Sequence, residues 1–338
     1  MRRAAAGGDE RGLRRDVLDL VRAVVPFDAY AWVLTDPLTC VGWSPLAETP
    51  QLAGLPNLIR LKYLTTVNRW TAIADPSAVT LRSATGNDLA RSRVWRELLH
   101  TYGVADVVSC VHRDRFGHWG FLDLWRSGSD AAFDDHEVTF LARVAELITP
   151  ALRRCAAEAL VAPAPASAVS GPVVLLLADG LDVRAHTRPA ADTLRALVPA
   201  PPGAEPIPAV AYNVAAQLVA REAGVDDHPP WARAHLAGAR LVTVRADRVE
   251  GDPGAPYDIA VTIETASAGE RADLFARAFG LTRREAELVG AIAGGGDTRD
   301  LARTMQVSEN TVQDHLKSVF GKTSARSRTQ LLAWVRGS

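Results

Sequence analysis

Lysine is scarce in this sequence of 338 residues: Lys62, Lys317 and Lys322 are the only three, and arginine supplies the other 35 of the 38 basic side chains. Against 39 acidic side chains, they leave a formal net charge of −1. A uniformly basic nucleic-acid coat protein is therefore excluded, and any contact with nucleic acid must lie in a local basic patch.

Cysteine is scarce as well. Cys40, Cys110 and Cys155 are widely spaced and include no Cys-x-x-Cys pair, which argues against a disulfide framework and a structural zinc site. Each is expected to be a small buried side chain. His112 and His118 flank a predicted turn, but no third ligand stands at a recognisable spacing, so we expect no metal.

Long hydrophobic runs are absent too, since no apolar stretch reaches the roughly 18–20 residues that cross a bilayer. We expect a cytoplasmic protein without a membrane partner. With 48% hydrophobic and 23% charged residues, the chain has the composition of a globular protein with a sizeable core.

The first part of the chain mixes helical and strand patterns, which predicts an α+β unit over residues 13–159. Its expected elements are a helix at Leu13–Val25, a strand at Asp28–Leu34, a helix at Val94–Tyr102, strands at Val104–His112 and Trp119–Trp125, and a helix at Asp134–Ala159. In the first helix, we expect Leu13, Val17, Leu20, Val21 and Val24 to form the buried face.

Residues 160–171 contain little but small residues and prolines, which indicates a linker. A second α+β unit is predicted over residues 172–267, followed by a connecting helix over residues 268–280. The second unit's expected elements are strands at Val173–Ala178 and Val183–Thr187, helices at Pro189–Leu197 and Ala209–Glu222, and strands near Arg240–Arg245 and Tyr257–Glu264.

Catalytic motifs are missing from both α+β units. There is no Gly-x-Ser-x-Gly elbow, no His-Glu-x-x-His and no dinucleotide-type glycine loop after a strand. Gly321-Lys322-Thr323 imitates the end of a phosphate-binding loop but falls within a helical pattern. We therefore expect no enzyme and no cofactor.

Residues 281–338 predict four short helices with clear start signals. Thr282 and Ser327 open capping boxes, Thr298 is the expected cap of the second helix, and Ser308 that of the third. In the third helix, Val312, Leu316, Val319 and Phe320 fall on one side at 100° per residue. The opposite arc carries Asn310, Gln313, Asp314, Lys317, Ser318 and Gly321.

Side chains of moderate length with hydrogen-bonding groups suit the base edges of a DNA major groove. Two helices joined by a short turn, the second with such an arc, form a helix-turn-helix. Residues 281–338 also hold nine basic and six acidic side chains, whereas the other 280 residues hold 29 and 33. The nearly neutral chain thus combines an acidic front with a basic end.

The C-terminal segment resembles the LuxR-type (LuxR/FixJ) DNA-binding domain over residues 281–335. The resemblance rests on the Leu-Thr-x-Arg-Glu opening and on the Thr-Val-x-x-His and Ser-Arg-x-x-Leu signatures. It implies that the third helix reads the groove, that helix N-termini and flanking basic residues hold phosphates, and that the fourth helix often forms the dimer contact. The DNA-contacting residues that it implies are Thr298, Arg299, Ser308, Asn310, Thr311, Gln313, Asp314, Lys317, Ser318, Lys322, Arg326 and Arg328.

Two positions depart from the family's usual pattern. Many relatives have lysine where this chain has Gln313, which shifts the expected readout toward adenine. Asp314 can only accept hydrogen bonds, so cytosine N4 is the base group that it would favour.

By element order, residues 13–159 resemble a GAF-type sensor domain and residues 172–267 a PAS-type unit. An aromatic-rich sheet could line a pocket for an apolar effector, and the candidate ligand-binding residues are Trp32, Trp43, Trp70 and Trp119. The alternative is that most of these tryptophans belong to the core or to a dimer interface.

The fold class expected is thus a multidomain chain of two α+β sensor-like domains followed by an all-α helix-turn-helix domain. The function expected is DNA-binding transcriptional regulation. The expected partners are double-stranded DNA, a second copy of the chain, RNA polymerase and a small-molecule effector. Two alternatives remain open: a protein-docking regulator without a small-molecule ligand, and a nucleotide-signal enzyme with a regulatory tail.

Overall fold

The computed structural model describes most of the chain. The described residues are 9–51, 54–128, 132–162, 172–197, 208–236, 240–250, 258–295 and 297–337. Most of the predicted linker, the proline-rich segment at 199–207, Tyr257 and Gly296 lie outside them.

The first α+β unit is built on a five-stranded antiparallel sheet of order β2-β1-β5-β4-β3. Its elements are α1 (Glu10–Arg22), β1 (Ala29–Thr35), β2 (Gly42–Glu48), α2 (Leu55–Leu64), β3 (Ala78–Thr80), α3 (Leu81–Thr85), α4 (Arg93–Glu97), β4 (Val104–Asp114), β5 (Gly117–Ser127) and α5 (Asp135–Val161). Helices α1 and α5 cover one face of this sheet, and α2 to α4 cover the other.

The expected strands at β1, β4 and β5 and the hairpin turn between β4 and β5 are confirmed. The helix expected at Val94–Tyr102 is interrupted, because Leu98 leaves the helical conformation and a short 3₁₀ turn follows at Leu99–Tyr102. Four elements went unpredicted: β2, α2, β3 and α3.

The buried face of α1 differs from the prediction. Leu20 and Val24 are 63% and 60% exposed, whereas Leu18 and Arg14 are buried. Arg14 is buried because its guanidinium donates to the carbonyls of Trp32 and Ser44, at 2.9 and 3.0 Å. Backbone acceptors across the sheet thus decide which side of α1 faces inward.

The second α+β unit repeats the strand order of the first, as β7-β6-β10-β9-β8. Its elements are β6 (Val173–Leu177), β7 (Val183–His186), α6 (Ala190–Leu197), α7 (Ala209–Glu222), β8 (Trp231–Leu236), β9 (Arg240–Arg248) and β10 (Ile259–Thr265). Strand β8 went unpredicted. Helix α7 is buried on all sides over Ala209–Gln217, because it lies between its own sheet and the α2 and β2 elements of the first unit.

Five helices complete the chain: α8 (Ala268–Ala278), α9 (Arg283–Ala293), α10 (Thr298–Met305), α11 (Glu309–Thr323) and α12 (Arg328–Arg336). Helix α8 packs against α5, α9 and α12, and α12 also contacts α5. The connecting helix therefore touches both the first unit and the helical C-terminal domain.

One arginine joins the two α+β units to α8. Arg233 on β8 is buried and donates to both carboxylate oxygens of Asp36, at 2.6 and 2.9 Å. It also donates to the Glu270 carbonyl and to the Asp273 carboxylate on α8, at 2.7 and 2.8 Å. Within the described ranges, no helix is both long and apolar enough to cross a membrane.

Candidate nucleic-acid interface

Helices α10 and α11 form the predicted helix-turn-helix. Gln306 ends α10 in the left-handed conformation, with φ +55°, and Ser308 begins α11 by accepting from the Thr311 backbone N–H at 3.1 Å. Between the helices, the three residues Gln306 to Ser308 reverse the chain, which is the short turn of this motif.

The expected cap of α10 was placed one residue too late. Asp297 is the N-cap: its carboxylate accepts from the Arg299 and Asp300 backbone N–H groups at 2.8 and 2.9 Å. The Asp300 carboxylate accepts from the Asp297 backbone N–H at 3.2 Å, which completes a capping box. Thr298 is the first helical residue, and its hydroxyl accepts from Gln313 Nε2 at 3.4 Å.

Helix α11 has the predicted division into two sides. Val312, Leu316 and Val319 are buried, and Phe320 is half-buried. All six residues of the predicted polar arc are exposed: Asn310, Gln313, Asp314, Lys317, Ser318 and Gly321. A continuous polar surface one helix long is therefore open to a ligand.

A buried carboxylate fixes the C-terminal half of α11. Glu285 on α9 accepts from the Ser318 hydroxyl at 2.6 Å and pairs with the Lys322 ammonium at 2.5 Å. Burial alone would raise the pKa of Glu285, but these partners and the Thr282 backbone N–H lower it to about 2. Lys322 and Ser318 thus help to orient α11 through Glu285.

The remaining predicted DNA contacts lie around α11. Arg299 on α10 is exposed, with its Nε 3.8 Å from the Glu309 carboxylate. Arg326 is exposed before α12, where its backbone N–H donates to Gln330. Arg328, the first residue of α12, is half-buried.

Two structural roles in this domain, those of Glu285 and Asp297, were not predicted from the sequence. Glu285 was predicted as the far end of a capping box, which it is, but its second role depends on α11 lying beside α9. Asp297 carries a signal that local reading could have found, because an aspartate three residues before Asp300 also makes a capping box.

Comparison with known proteins identifies this segment. Residues 280–335 match the family described as bacterial regulatory proteins, luxR family. The chain is 39% identical over 55 residues to a probable csgAB operon transcriptional regulatory protein of Salmonella typhimurium and to the CsgBAC operon transcriptional regulatory protein of Escherichia coli. Each match covers 16% of this chain and 26% of the relative.

The C-terminal segment is therefore a helix-turn-helix DNA-binding domain of the luxR family. The chain spans about a quarter of the length of the curated relatives it matches, and these relatives are transcriptional regulators. Among solved structures, Escherichia coli SdiA aligns over 97% of this chain and 90% of its own, with 12% identity and a TM-score of 0.33. A TM-score this low does not establish a shared fold.

The four candidate ligand-binding tryptophans lie in different places. Trp32 and Trp70 are fully buried, the first stacked on His112 and the second on Phe121. Trp43 and Trp119 line a cavity of about 250 Å³ where the first unit meets β8 and α8.

Buried histidines occupy the first unit. Burial lowers the pKa of His112 to about 4 and that of His118 to about 3. His118 Nε2 lies 3.2 Å from the Trp70 carbonyl. Over the part of the chain that the structure describes, no three His, Cys, Asp or Glu side chains form a group that could hold a metal ion.

Proposed function

We propose that this chain is a DNA-binding transcriptional regulator that reads the major groove with α11. The observation that carries the proposal is the exposed polar arc of α11 within a helix-turn-helix of the luxR family. The arc's amide, carboxylate and ammonium groups match the donors and acceptors of base edges. As a regulator the chain would act by binding, with no catalytic step.

The proposed contacts fall into two groups, those to bases and those to phosphates, according to their position on the two helices. Gln313, Asp314 and Lys317 face the bases, with Asn310 beside them on the same arc. Phosphates are bound by hydroxyl and basic groups around the two helices: Thr298, Arg299, Ser308, Thr311, Arg326 and Arg328. Ser318 and Lys322 contribute from the end of α11 that Glu285 holds in place.

The test is selection of bound duplexes with the full chain, followed by binding measurements at several salt concentrations. Lys317→Ala should lose about 1–3 kcal/mol of discrimination at one base position, since a base contact specifies sequence. Arg299→Ala should weaken binding to every duplex and reduce the salt slope by about one, since a phosphate contact carries no sequence information. Equal affinity for all duplexes in the unmodified chain would contradict the proposal.

We propose further that the two α+β units are GAF-like and PAS-like sensor domains over residues 13–159 and 172–267. Residues 160–171 then act as a linker, residues 268–280 as the connecting helix, and residues 281–338 as the DNA-binding domain. The shared strand order of the two sheets and the contacts of α8 with both the first unit and the C-terminal helices support this division.

A small apolar effector is the proposed signal, bound in the cavity that Trp43 and Trp119 line. The walls of this cavity include Arg233 on β8 and Leu274 on α8, so a ligand there would act directly on the connecting helix. Trp32 and Trp70 would support such a site only through packing, because both are buried in the core.

The active form is proposed to be a homodimer in the cytoplasm that acts on RNA polymerase. Two half-sites supply the specificity that a single domain lacks. Native mass spectrometry of the purified chain tests both parts: the dimer mass supports the assembly, and an added small mass supports the effector. A ligand-free monomer at micromolar concentration would contradict both.

A further inference from the structure

The turn that joins β1 to β2 places a cysteine at the boundary between the two α+β units. Cys40 has a left-handed backbone with φ +60°, which non-glycine residues rarely adopt. Its backbone N–H donates to the Asp36 carbonyl and its own carbonyl accepts from Trp70 Nε1, both at 2.9 Å. The surrounding structure thus holds Cys40 in one orientation.

That orientation brings the thiol to a histidine of the second unit. Cys40 Sγ lies 3.5 Å from His228 Nε2, and His228 Nδ1 lies 2.8 Å from the Asp226 carboxylate. A cysteine within reach of a histidine that a third group orients is the arrangement that activates a nucleophile.

The third group of this arrangement is itself fixed. Asp226 accepts from Arg69 Nε and from the Thr71 hydroxyl at 2.9 Å on one oxygen, and from Gln217 Nε2 at 2.9 Å on the other. The hydrogen bond that His228 donates to Asp226 raises the pKa of His228 to about 10, with the Cys40 contact as a second cause. At neutral pH the thiol therefore faces an imidazolium.

The other two cysteines have no such surroundings. Burial raises the pKa of Cys110 far above its usual value, and burial raises that of Cys155 to about 11. A raised pKa makes a thiol less reactive at neutral pH, because the thiolate is the reactive form. Cys110 and Cys155 therefore serve as internal references for the reactivity of Cys40.

We propose that Cys40, His228 and Asp226 form a peroxide-reactive thiol site, a function separate from DNA binding. The Cys40 thiol loses its proton to water, and the resulting thiolate, beside the His228 imidazolium, attacks one oxygen of hydrogen peroxide, so that the S–O bond forms and the O–O bond breaks. Sulfur is oxidised to sulfenic acid and peroxide is reduced. The leaving hydroxide takes the proton of the His228 imidazolium and departs as water.

The low exposure of Cys40 favours a small oxidant. Cys40 is 9% exposed, which leaves room for a reagent of two heavy atoms better than for a bulky electrophile. His228 is more open, with 38% of its side chain exposed, so it can recover its proton from water. The added oxygen would enter the hydrogen-bonded contact that joins the two units.

The test treats the full chain with hydrogen peroxide, traps sulfenic acid with dimedone, and measures labelling at each cysteine by peptide mass spectrometry. Cys40 should be labelled at least about tenfold faster than Cys155. His228→Gln keeps a hydrogen-bonding side chain but removes the proton donor, so labelling of Cys40 should slow by about 100-fold. Cys40→Ala should abolish that label and leave Cys155 unchanged.

Labelling of Cys40 in the folded wild-type chain no faster than that of Cys155 would overturn the proposal. So would an unchanged rate at Cys40 in His228→Gln while Cys110 stays protected. Should His228→Gln unfold, Cys110 would become labelled as well, and the wild-type ratio of Cys40 to Cys155 would then decide alone.

Discussion

Three histidines whose rings are shielded from water should destabilise the folded chain in acid. Burial lowers the pKa of His112 and His235 to about 4 and that of His118 to about 3. Both ring nitrogens of His235 are shielded from solvent and have no hydrogen-bond partner among the described residues. In the unfolded chain each imidazole titrates near pH 6.5, so below that pH the unfolded state binds more protons than the folded state.

Above about pH 6.5 these histidines should therefore cost the folded state nothing. As the pH drops toward 4, the free energy of unfolding should fall by up to about 1.4 kcal/mol per pH unit for each histidine. The variant His235→Phe removes one of these groups. Its free energy of unfolding should therefore fall less steeply with decreasing pH, by the contribution of one histidine. Denaturant unfolding of both chains between pH 7 and 5 measures the difference. Parallel curves would show that His235 titrates normally in the fold.

At the scale of helices, local hydrogen bonds define where each element of the DNA-binding domain begins. The side chains of Thr282, Asp297, Ser308 and Ser327 each accept from backbone N–H groups in the first turn that follows. In α12 the expected capping box is only half formed, because Gln330 accepts from the Arg326 backbone N–H.

The cap of α10 can be tested with neighbouring substitutions. Asp297→Ala removes the acceptor for two backbone N–H groups, so amide exchange in the first turn of α10 should become roughly fivefold faster. Thr298→Ala changes the residue predicted as the cap from sequence and should leave this exchange unchanged. Hydrogen exchange followed by mass spectrometry distinguishes the two positions, and the reverse pattern would restore Thr298 as the cap.

Signals that depend on neighbours in sequence were predictable, and those that depend on distant strands were not. The caps at Thr282 and Ser308 and the buried stripe of α11 follow from residues three or four apart. Strand β2 contains Pro45, which obscures its strand pattern, and its pairing with β1 becomes visible only in the folded sheet. Arg14 is polar by sequence, yet carbonyls more than ten residues away make it a core residue.

At the scale of the whole molecule, one buried ion pair joins the two units close to α8. Burial would raise the pKa of Asp36, but Arg233 more than offsets this and holds it below its usual value. The same arginine contacts α8, so a single guanidinium links three parts of the chain.

Removing that guanidinium should be costly. Arg233→Ala leaves the Asp36 carboxylate buried and unpaired, and we expect a loss of about 3–5 kcal/mol in the free energy of unfolding. The double variant Asp36→Asn with Arg233→Met removes both charges and should lose less than the single variant. Denaturant titration of the three chains provides the comparison, and equal losses in the single and double variants would contradict the ion-pair explanation.

Helix α12 packs against α8 and α5, contacts that would compete with any pairing of two copies through this helix. Arg271 on α8 donates to the Trp334 carbonyl of α12 and to the Leu160 carbonyl at the end of α5, at 3.0 and 2.6 Å. A helix covered on one side by its own chain cannot offer that side to a second copy. If dimers pair through α12, undocking and pairing are thermodynamically linked, and whatever loosens Arg271 strengthens pairing by the same factor.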